Sequence, residues 1–285
     1  MEVFNSIFIT LRERQDFIRT LLESLRISLQ QATQSHEIVI VDLGTASYDV
    51  EALVNPFREV VPIKVIKTGY TGIFYKTKAL NCGVKNSDGH YISLVDADTV
   101  VPPEYIFGIE DFFRDESNSN IKLCHRVARV NAIETKNLLK TTLDVGRTQN
   151  MVRKAKSYMM YLERFTENEI VKREFTVRDR SLLTKALGNS HFTMPKENYV
   201  TIGGYNESFK GWGCEDKEFN LRYYRHFKNG TLRDDPKYMC FSLTCPQEST
   251  WRQKTLHDRN LRLYNSTIQN KSISCLKKGD AWGKF

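Results

Sequence analysis

Two aspartates separated by one residue are the first candidates for chemistry in this sequence. Asp96 and Asp98 follow directly on the apolar run YISLV, which is typical of a buried strand. A chain leaving a strand can turn successive side chains to different sides, so one carboxylate could face a ribose while the other faces a metal ion. Mg²⁺ and Mn²⁺ prefer oxygen ligands, usually one or two carboxylates plus substrate phosphates. The alternative is that the two acids only cap a turn.

A second group of candidates lies in the segment GWGCED, residues Gly211–Asp216. Two glycines around Trp212 indicate a tight backbone beneath a large flat ring, and sugars stack on such rings through their apolar C–H faces. Glu215 and Asp216 then begin a helical pattern, where the helix dipole stabilises carboxylates. That stabilisation alone would account for both acids. A buried acid beside a reacting hydroxyl could instead serve as a general base.

The third candidate is His257, in the segment WRQKTLHDRNLRLYN. A single histidine is more often an ordinary surface or core residue than a ligand. Because it follows the two acidic segments, it could complete a metal site of oxygen and nitrogen ligands. Arg259, two residues later, could pair with a phosphate.

Alternating strand-like and helix-like segments predict the elements that position these residues. The strand-like segments are Ser6–Thr10, Glu37–Asp42, Ile63–Ile66 and Tyr91–Val95. A helical period between the first two is set by Phe17, Leu21, Leu25 and Leu29. Such alternation predicts an α/β fold with a mainly parallel sheet covered on both faces. Ligands bind beyond the carboxyl ends of such strands, so Thr10–Arg14, Asp42 and Asp96–Asp98 are expected at one rim.

The composition limits the class of protein. Hydrophobic residues make up 40% and charged residues 27%, which is ordinary soluble usage and excludes wholesale disorder. No stretch approaches the ~18 apolar residues of a membrane span, and the N-terminal residues lack the features of a signal peptide. The six cysteines include no CxxC pair, which argues against a zinc or redox motif. We therefore expect a cytoplasmic protein, with the inner face of the membrane as a further location.

The formal net charge of +8 suits an anionic partner such as nucleic acid, acidic lipid or an anionic substrate. The basic residues are spread along the chain, so a generally solvated basic surface is the simpler interpretation. No RNA-binding or helix-turn-helix signature supports a nucleic-acid partner.

The segment LGNSHFTMPKENYVTIGGYNESFKGWGCEDKEFNLRYYRH resembles the C-terminal half of a GT-A glycosyltransferase group. That group includes the β-1,4-galactosyltransferases and bacterial chondroitin-type polymerases, and its pattern reads GN-x-x-F, GG-[FY]-[ND]-E-x-F, GWG-x-ED. The opening ITLRERQDFIRTLL is similar to the group's nucleotide-binding start, with Thr10 in place of the usual proline and Arg12 and Arg14 matching. FYKTKALNCGVKNSDGHYISLVDADTVVPPEY resembles the region that leads into its DxD motif. The likeness covers most of residues 6–265.

The resemblance implies a UDP-sugar donor and roles for individual residues. Arg12 and Arg14, with Thr10 beside them, would line the nucleotide pocket, Asp42 would bind the uracil and Asp96 the ribose. The segment containing Lys76, Lys78 and Asn81 would lie near the diphosphate.

The resemblance also implies a catalytic half. Asp98 and His257 would bind Mn²⁺ or Mg²⁺, which would neutralise the charge that develops on departing UDP. Trp212 and Glu215 would shape the sugar pocket. Asp216 would be the general base for an in-line attack that inverts the anomeric carbon.

The simplest organisation is a single GT-A domain over residues 1–285. Residues 1–115 would be the nucleotide-binding half, 116–265 the acceptor and catalytic half, and 266–285 a loosely held tail. Residues 134–174 are mostly helical in pattern. The acceptor would be a glycan or lipid-linked glycan, as in surface polysaccharide synthesis, with peripheral membrane association.

The likeness is weakest at Asn118–Arg180, which we expect to select the acceptor. Variable ligands are often bound by inserted segments on a rigid scaffold. The basic residues there are Arg147, Arg153, Lys154, Lys156, Arg164, Lys172, Arg173, Arg178 and Arg180. The alternative without a binding role is a pair of helices that packs on the core and leaves its basic side chains exposed to solvent.

Two other functions stay open. A retaining glycosyltransferase of the same fold would share most of these motifs, although ED rather than EN after GWG favours inversion. An inactive binding module should have lost Asp98, Asp216 or His257, and all three are present.

Overall fold

The computed structural model describes residues 2–156, 183–227, 239–245 and 253–285. The strands are β1 (Asn5–Leu11), β2 (His36–Asp42), β3 (Ile63–Lys67), β4 (Tyr91–Leu94), β5 (Thr99–Val100), β6 (Leu123–Val130), β7 (Leu183–Pro195) and β8 (Cys240–Ser242). The helices are α1 (Gln15–Leu29), α2 (Val50–Val54), α3 (Lys76–Lys85), α4 (Tyr105–Arg114), α5 (Ala132–Lys140), α6 (Val145–Lys156), α7 (Lys196–Thr201), α8 (Glu215–Phe227) and α9 (Lys254–Gln269).

The strands that the structure describes form one sheet in the order β3-β2-β1-β4-β7-β6-β8-β5. The first four are mutually parallel, and β7 joins β4 in the antiparallel sense. Every residue of β1 and β2 is buried, as expected for central strands covered on both faces. The predicted α/β fold with a mainly parallel sheet flanked by helices is confirmed.

Helices pack on both faces of the sheet. On one face, α1 buries Leu21 and Leu25 in a cluster with Ile9 of β1 and Ile109 of α4. On the other, α3 buries Leu80 against Phe8 and against residues of α7 and α8. Because β1 contributes alternate side chains to the two clusters, it anchors the elements on both sides.

The strand register brings the predicted rim together. Leu11 pairs with Asp42, so β1 and β2 end side by side. The amide of Val95 donates to the carbonyl of Phe8 (3.1 Å), which places the start of the Asp96–Asp98 segment beside the same edge.

The structure corrects the expectation of a loose tail. The amide of Leu276 donates to the carbonyl of Ile202 at 3.0 Å, and the Trp282 indole donates to the carbonyl of Gly203 at 3.0 Å. The end of the tail is thus held against the turn that precedes the GWGCED segment.

The stretch predicted to be mostly helical, residues 134–174, contains most of α5 and all of α6 in its described part, and the strands β6 and β7 lie on either side of that stretch. Arg147 pairs with Glu134 (3.1 Å), so this cation joins α5 and α6. The remaining side chains of the predicted acceptor set, from Arg153 to Arg180, lie outside the described residues. Within the described ranges, no helix has both the length and the apolar character of a membrane span.

Candidate active site

The loop that leaves β1 is held by Arg12. Its guanidinium donates to the carbonyls of Leu43 (2.6 Å), Gly72 (2.6 Å) and Tyr70 (3.0 Å). Arg12 therefore joins the loops that follow β2 and β3, and it supports the wall of the predicted nucleotide pocket.

Glu13 and Arg14 both adopt left-handed backbone conformations, with φ of 57° and 66°. Such conformations cost non-glycine residues roughly 1–2 kcal/mol each, so local contacts must stabilise them. The Glu13 carboxylate accepts from the amides of Ala46 (2.9 Å) and Ser47 (3.3 Å), and the Tyr48 hydroxyl donates to the Glu13 carbonyl (2.7 Å). Glu13 thereby ties the β1 exit to the loop after β2, a role that sequence reasoning missed.

Asp42 lies at the end of β2, one strand away from Thr10. Its Oδ1 accepts from the amide of Thr45 at 2.8 Å, which fixes the carboxylate at the start of the loop. Both Asp42 and Thr10 are buried, and they lie on neighbouring strands at the same edge of the sheet.

The acidic pair is held by two cations from different elements. Arg14 Nη1 lies 2.6 Å from Asp98 Oδ2, and Lys76 Nζ lies 2.9 Å from Asp96 Oδ1. Burial raises the pKa of Asp98, and the charge of Arg14 offsets part of that rise. Burial would also raise the pKa of Asp96, but Lys76 outweighs it and lowers that pKa to about 2. Asp96 is therefore ionised at any physiological pH.

His191 of β7 is a further residue of this site that sequence reasoning did not single out. Its Nε2 accepts from the backbone amide of Asp96 (2.9 Å) and lies 3.1 Å from the Thr99 hydroxyl. Burial lowers the pKa of His191 to about 4, so the ring is neutral and can accept these hydrogen bonds. The signal in the sequence was its position in GNSH, inside the resemblance to the family pattern.

Lys76, the first residue of α3, connects the two acidic segments. Its Nζ lies 2.9 Å from Asp96 and 3.9 Å from Asp216 Oδ2. Burial alone would lower the pKa of Lys76, but Asp216, Asp96 and Glu215 together raise it. The lysine is therefore a permanent cation between the strand end and the GWGCED segment.

Asp216 accepts a hydrogen bond from the Tyr205 hydroxyl at 2.7 Å. Its side chain keeps 24% of its surface exposed, so a substrate hydroxyl can reach it. Burial raises the pKa of Asp216, while Lys76 and Tyr205 counteract that rise. A partly exposed carboxylate with raised basicity has the properties of a general base.

Glu215, in contrast, is turned inward. Its Oε2 accepts from the amide of Gly213 at 2.8 Å, across a turn in which Gly211, Gly213 and Cys214 all have positive φ. Burial, with repulsion from Asp216, raises the pKa of Glu215 to about 7. Because the folded-state pKa lies above the ordinary value near 4.5, the folded state binds this proton more tightly than the unfolded chain.

We expect Glu215→Gln to raise the free energy of unfolding at pH 8 by about 2–3 kcal/mol. Ionisation of Glu215 removes stability from the native protein as pH rises from about 4.5 to 7, and glutamine abolishes that loss while still accepting from Gly213. Urea unfolding at pH 5 and pH 8 measures the difference, which should shrink at the lower pH.

The matched control is Glu218→Gln, one turn along α8. The Glu218 carboxylate is fully buried and paired with Arg222 at 2.7 Å, so its replacement leaves a buried cation unpaired. That variant should lose about 3–5 kcal/mol. Equal destabilisation by both substitutions at pH 8 would contradict the conclusion that ionised Glu215 lowers the stability of the folded state.

Trp212 and His257 form the exposed side of the GWGCED turn. Their rings stack with centroids 5.5 Å apart, and 39% of the Trp212 surface is exposed. A Cβ on Gly213 would lie 2.6 Å from His257 Cδ2, so this glycine lets α9 bring the imidazole close to the turn.

The donor chemistry of Asp98 and His257 fits a hard divalent cation. Asp98 is a buried carboxylate, and the His257 side chain is 38% exposed and open to a ligand. Among the described residues, no three histidines, cysteines or acids cluster into a site made of protein ligands alone. Two protein ligands, with phosphate and water oxygens, is the usual pattern for Mg²⁺ and Mn²⁺ bound together with a nucleotide.

The structure gives Asn81 a different position from the predicted one. Its amide nitrogen donates to the Tyr205 carbonyl and to Glu207 Oε1, both at 2.9 Å, and its oxygen accepts from the Tyr199 hydroxyl and the Tyr205 amide. The side chain is fully buried, and both donors and both acceptor positions are used. Asn81 therefore holds a turn and has no capacity left for a diphosphate.

Lys78 also lies away from the acidic cluster. Its Nζ stands 5.3 Å from the centre of the Phe285 ring and 5.8 Å from that of Tyr75. In this structure its neighbours are aromatic side chains of the tail and of the segment before α3.

The sheet, its flanking helices and the acidic groups at the strand ends define a GT-A fold. Residues 6–174, more than half of the chain, match the family model described as glycosyl transferase family 2. Residues 178–233 match the model described as the N-terminal domain of galactosyltransferase. The chain belongs to glycosyl transferase family 2.

Solved structures share this fold at low sequence identity. TarS from S. aureus has a TM-score of 0.62 and 17% identity, over 97% of this chain and 41% of TarS. TarS residues 1–349 in complex with UDP-GlcNAc give a TM-score of 0.63 at 17% identity, over 97% of this chain and 68% of the other. The mannosyltransferase PcManGT from Pyrobaculum calidifontis, in complex with GDP-Man and Mn²⁺, gives 0.53 at 13% identity, over 98% and 66%.

One curated protein of similar sequence is also described as a glycosyltransferase. An uncharacterized glycosyltransferase of Haemophilus influenzae is 32% identical over 95 residues, which are 33% of this chain and 33% of that protein. The match thus spans about a third of the relative, and the chain spans less than half of the longer solved TarS chain.

Proposed function

We propose that this chain is a metal-dependent glycosyltransferase that transfers a hexose or N-acetylhexosamine from a UDP-sugar to a glycan acceptor with inversion. The observation that carries the proposal is the position of Lys76 between Asp96 and Asp216. Asp96, predicted to bind the donor, and Asp216, predicted to activate the acceptor, are 120 residues apart in the sequence, yet here they share one buried cation. In a reaction between two substrates, the groups that bind one substrate must lie close to the groups that bind the other.

The donor side is formed by the carboxyl ends of β1, β2 and β4. Asp42 would accept from the uracil, Asp96 would bind the ribose, and Arg12 and Arg14 would line the pocket. TarS has been solved with UDP and with UDP-GlcNAc, which supports a UDP-sugar as the donor on this fold. PcManGT, solved with GDP-Man and Mn²⁺, supports a nucleotide-sugar donor with a divalent metal.

Asp98 and His257 would hold the cation, with Mn²⁺ or Mg²⁺ the metals that suit these ligands. When bound, it would neutralise negative charge on the departing diphosphate. Arg14, which contacts Asp98 at 2.6 Å, keeps this carboxylate oriented and adds a second positive charge on the donor side.

Asp216 would remove the proton from the acceptor hydroxyl as that oxygen attacks the anomeric carbon. Its carboxylate is oriented by Tyr205, and the nearby charge of Lys76 limits how far its pKa rises. Trp212 would offer its exposed ring to a sugar face, and Glu215 would support the turn beneath that ring.

We further propose one domain of two halves, with donor-binding residues in 1–115 and acceptor-binding and catalytic residues in 116–265. A net charge of +8 supports an anionic acceptor, such as a polysaccharide with acidic sugars or a lipid-linked glycan at an acidic membrane surface. The corresponding location is the cytoplasm or the inner face of the membrane.

A donor panel tests the proposal. Release of UDP should be measured from UDP-glucose-type, UDP-galactose-type, N-acetylated and uronic acid donors, each with Mn²⁺ and with EDTA, and GDP-mannose serves as the control donor. We expect one class of UDP-sugar to be turned over only with the metal. The anomeric configuration of the product, read by NMR, separates inversion from retention. Turnover of GDP-mannose alone would contradict the proposal.

A further inference from the structure

The C-terminal segment Leu276–Phe285 lies against the double-glycine turn Gly203-Gly204. The Leu276 amide donates to the carbonyl of Ile202, and the Trp282 indole donates to the carbonyl of Gly203, both at 3.0 Å. At the far end, the Phe285 ring packs at 5.5 Å from the ring of Tyr70, whose carbonyl accepts from Arg12. The segment therefore runs from the turn to the loop that Arg12 supports.

The glycines of this turn are required by the tail. Gly203 and Gly204 have φ of +81° and +66°, and a Cβ on Gly203 would lie 2.3 Å from the carbonyl oxygen of Leu276. A Cβ on Gly204 would lie 3.0 Å from Trp282 Cζ2 and 2.5 Å from Asn81 Oδ1. The backbone shape of the turn and the approach of the tail thus depend on the same two residues.

The residue that follows this turn, Tyr205, contacts Asp216, the proposed base. The Gly283 amide donates to Glu207 Oε1 (2.7 Å), and that oxygen also accepts from Asn81. Asn81 in turn holds the backbone amide and carbonyl of Tyr205. The Tyr205 hydroxyl donates to Asp216 at 2.7 Å, so the hydrogen bonds from the tail hold the backbone of the residue whose side chain contacts the proposed base.

We propose that the segment Leu276–Phe285 is a positioning element for the acceptor half of the site. By packing Trp282 on the double-glycine turn, it holds Tyr205 in the place from which its hydroxyl orients Asp216. Trp282 is thus a positioning residue, and it does not touch the reacting atoms. The kinetic part of this inference rests on the proposed function. The docking of the tail on the double-glycine turn is independent of that function.

A double-mutant cycle of Trp282→Ala and Tyr205→Phe tests whether Trp282 acts on Asp216 through Tyr205. Trp282→Ala should lower kcat about tenfold, because small displacements of a positioned group reduce rates strongly. It should leave UDP affinity, measured by calorimetry, unchanged. Trp282→Ala is expected to displace the same hydroxyl that Tyr205→Phe removes, so the double variant should lose no more than the larger single loss. Asp280→Asn is the control, since it changes an exposed side chain of the same stretch of chain while leaving the Trp282 ring in place.

The acid limb of the pH–rate profile provides a second kinetic readout. Asp216 is faced by Lys76 of α3, Asp96 after β4, Glu215 of α8, Tyr205 of the turn and, at longer range, the buried Lys122 before β6. Of these, only Tyr205 is reached by the tail contacts described above. Loss of its hydrogen bond raises the pKa of Asp216, so the acid limb should move to higher pH in Trp282→Ala and Tyr205→Phe alike. If the losses in kcat multiply in the double variant, or if UDP affinity changes, the proposed effect of Trp282 on Asp216 through Tyr205 is wrong.

Hydrogen exchange tests the docking without any activity. The amides of Gly203, Gly204 and Tyr205 donate to Val200, Tyr199 and Asn81, and they should exchange faster in Trp282→Ala but not in Asp280→Asn. Trp282→Phe keeps the ring packing and loses the indole donor, so it should give an intermediate rate if the alanine variant does not fold. Unchanged exchange in both Trp282 variants would refute the inference. If the Trp282 variants exchange faster but the wild-type protein turns over no donor, the proposed function is wrong while the docking of the tail still stands.

Discussion

Asp216→Asn is expected to abolish most sugar transfer while leaving UDP binding intact. Removing a general base typically lowers the rate about 10²–10⁴-fold. Asparagine keeps an oxygen that can accept from Tyr205, so the local structure should persist. The loss should fall on kcat, and initial rates with saturating donor and acceptor, beside calorimetric titration with UDP, measure the two quantities separately.

Two controls sharpen this prediction. Asp111→Asn changes an exposed carboxylate on α4 that pairs with Arg114, and it should transfer sugar at the wild-type rate. Lys76→Met should lower activity for a different reason, since it removes the cation shared by Asp96 and Asp216 and should weaken UDP binding as well. Transfer by Asp216→Asn at a near wild-type rate would show that another group accepts the proton.

Removal of the metal is expected to weaken UDP binding about hundredfold, and Asp98→Ala should reproduce this loss. A divalent cation contributes several kcal/mol to the stabilisation of phosphate charge. Calorimetry with Mn²⁺, and again after addition of EDTA, gives the first value. In Asp98→Ala, EDTA should have little further effect, because the metal is already poorly held. His257→Ala should behave in the same way.

Arg14→Met distinguishes the effect of losing the metal from the effect of losing the ion pair between Arg14 and Asp98. Asp98→Ala also breaks the contact with Arg14, so weaker UDP binding could arise from a disordered arginine. Arg14→Met removes that contact but leaves Asp98, and its UDP binding should remain sensitive to EDTA. If wild-type affinity does not respond to EDTA, the assignment of Asp98 and His257 as metal ligands is wrong.

The sequence by itself determined the donor half of the fold. The segments that became β1, β2 and β4 are rich in apolar residues and end in polar groups, a pattern typical of strands buried on both faces. Because parallel strands end at a common edge, the same pattern placed Asp42 and Asp96 at one rim. The GWGCED segment was recognisable because its glycines and acids are adjacent in the chain.

Only the tertiary structure decided the rest of the sheet. Thr99–Val100 and Cys240–Ser242 are strands of two and three residues, too short to show a local period. Thr99–Val100 pairs with Cys240–Ser242, about 140 positions further along the chain, and Cys240–Ser242 also pairs with β6. Such pairing depends on contacts that no local window contains.

Tertiary structure also decided which polar side chains are available to a ligand. Asn81 and Lys78 have suitable groups for a diphosphate, but a residue type does not reveal whether its hydrogen bonds are already made. Tyr205 and His191 look like ordinary core residues in the sequence, and their roles come from the groups that folding brings to them. The free energy of a buried polar group depends on its partners, and partners distant in sequence are set by the fold alone.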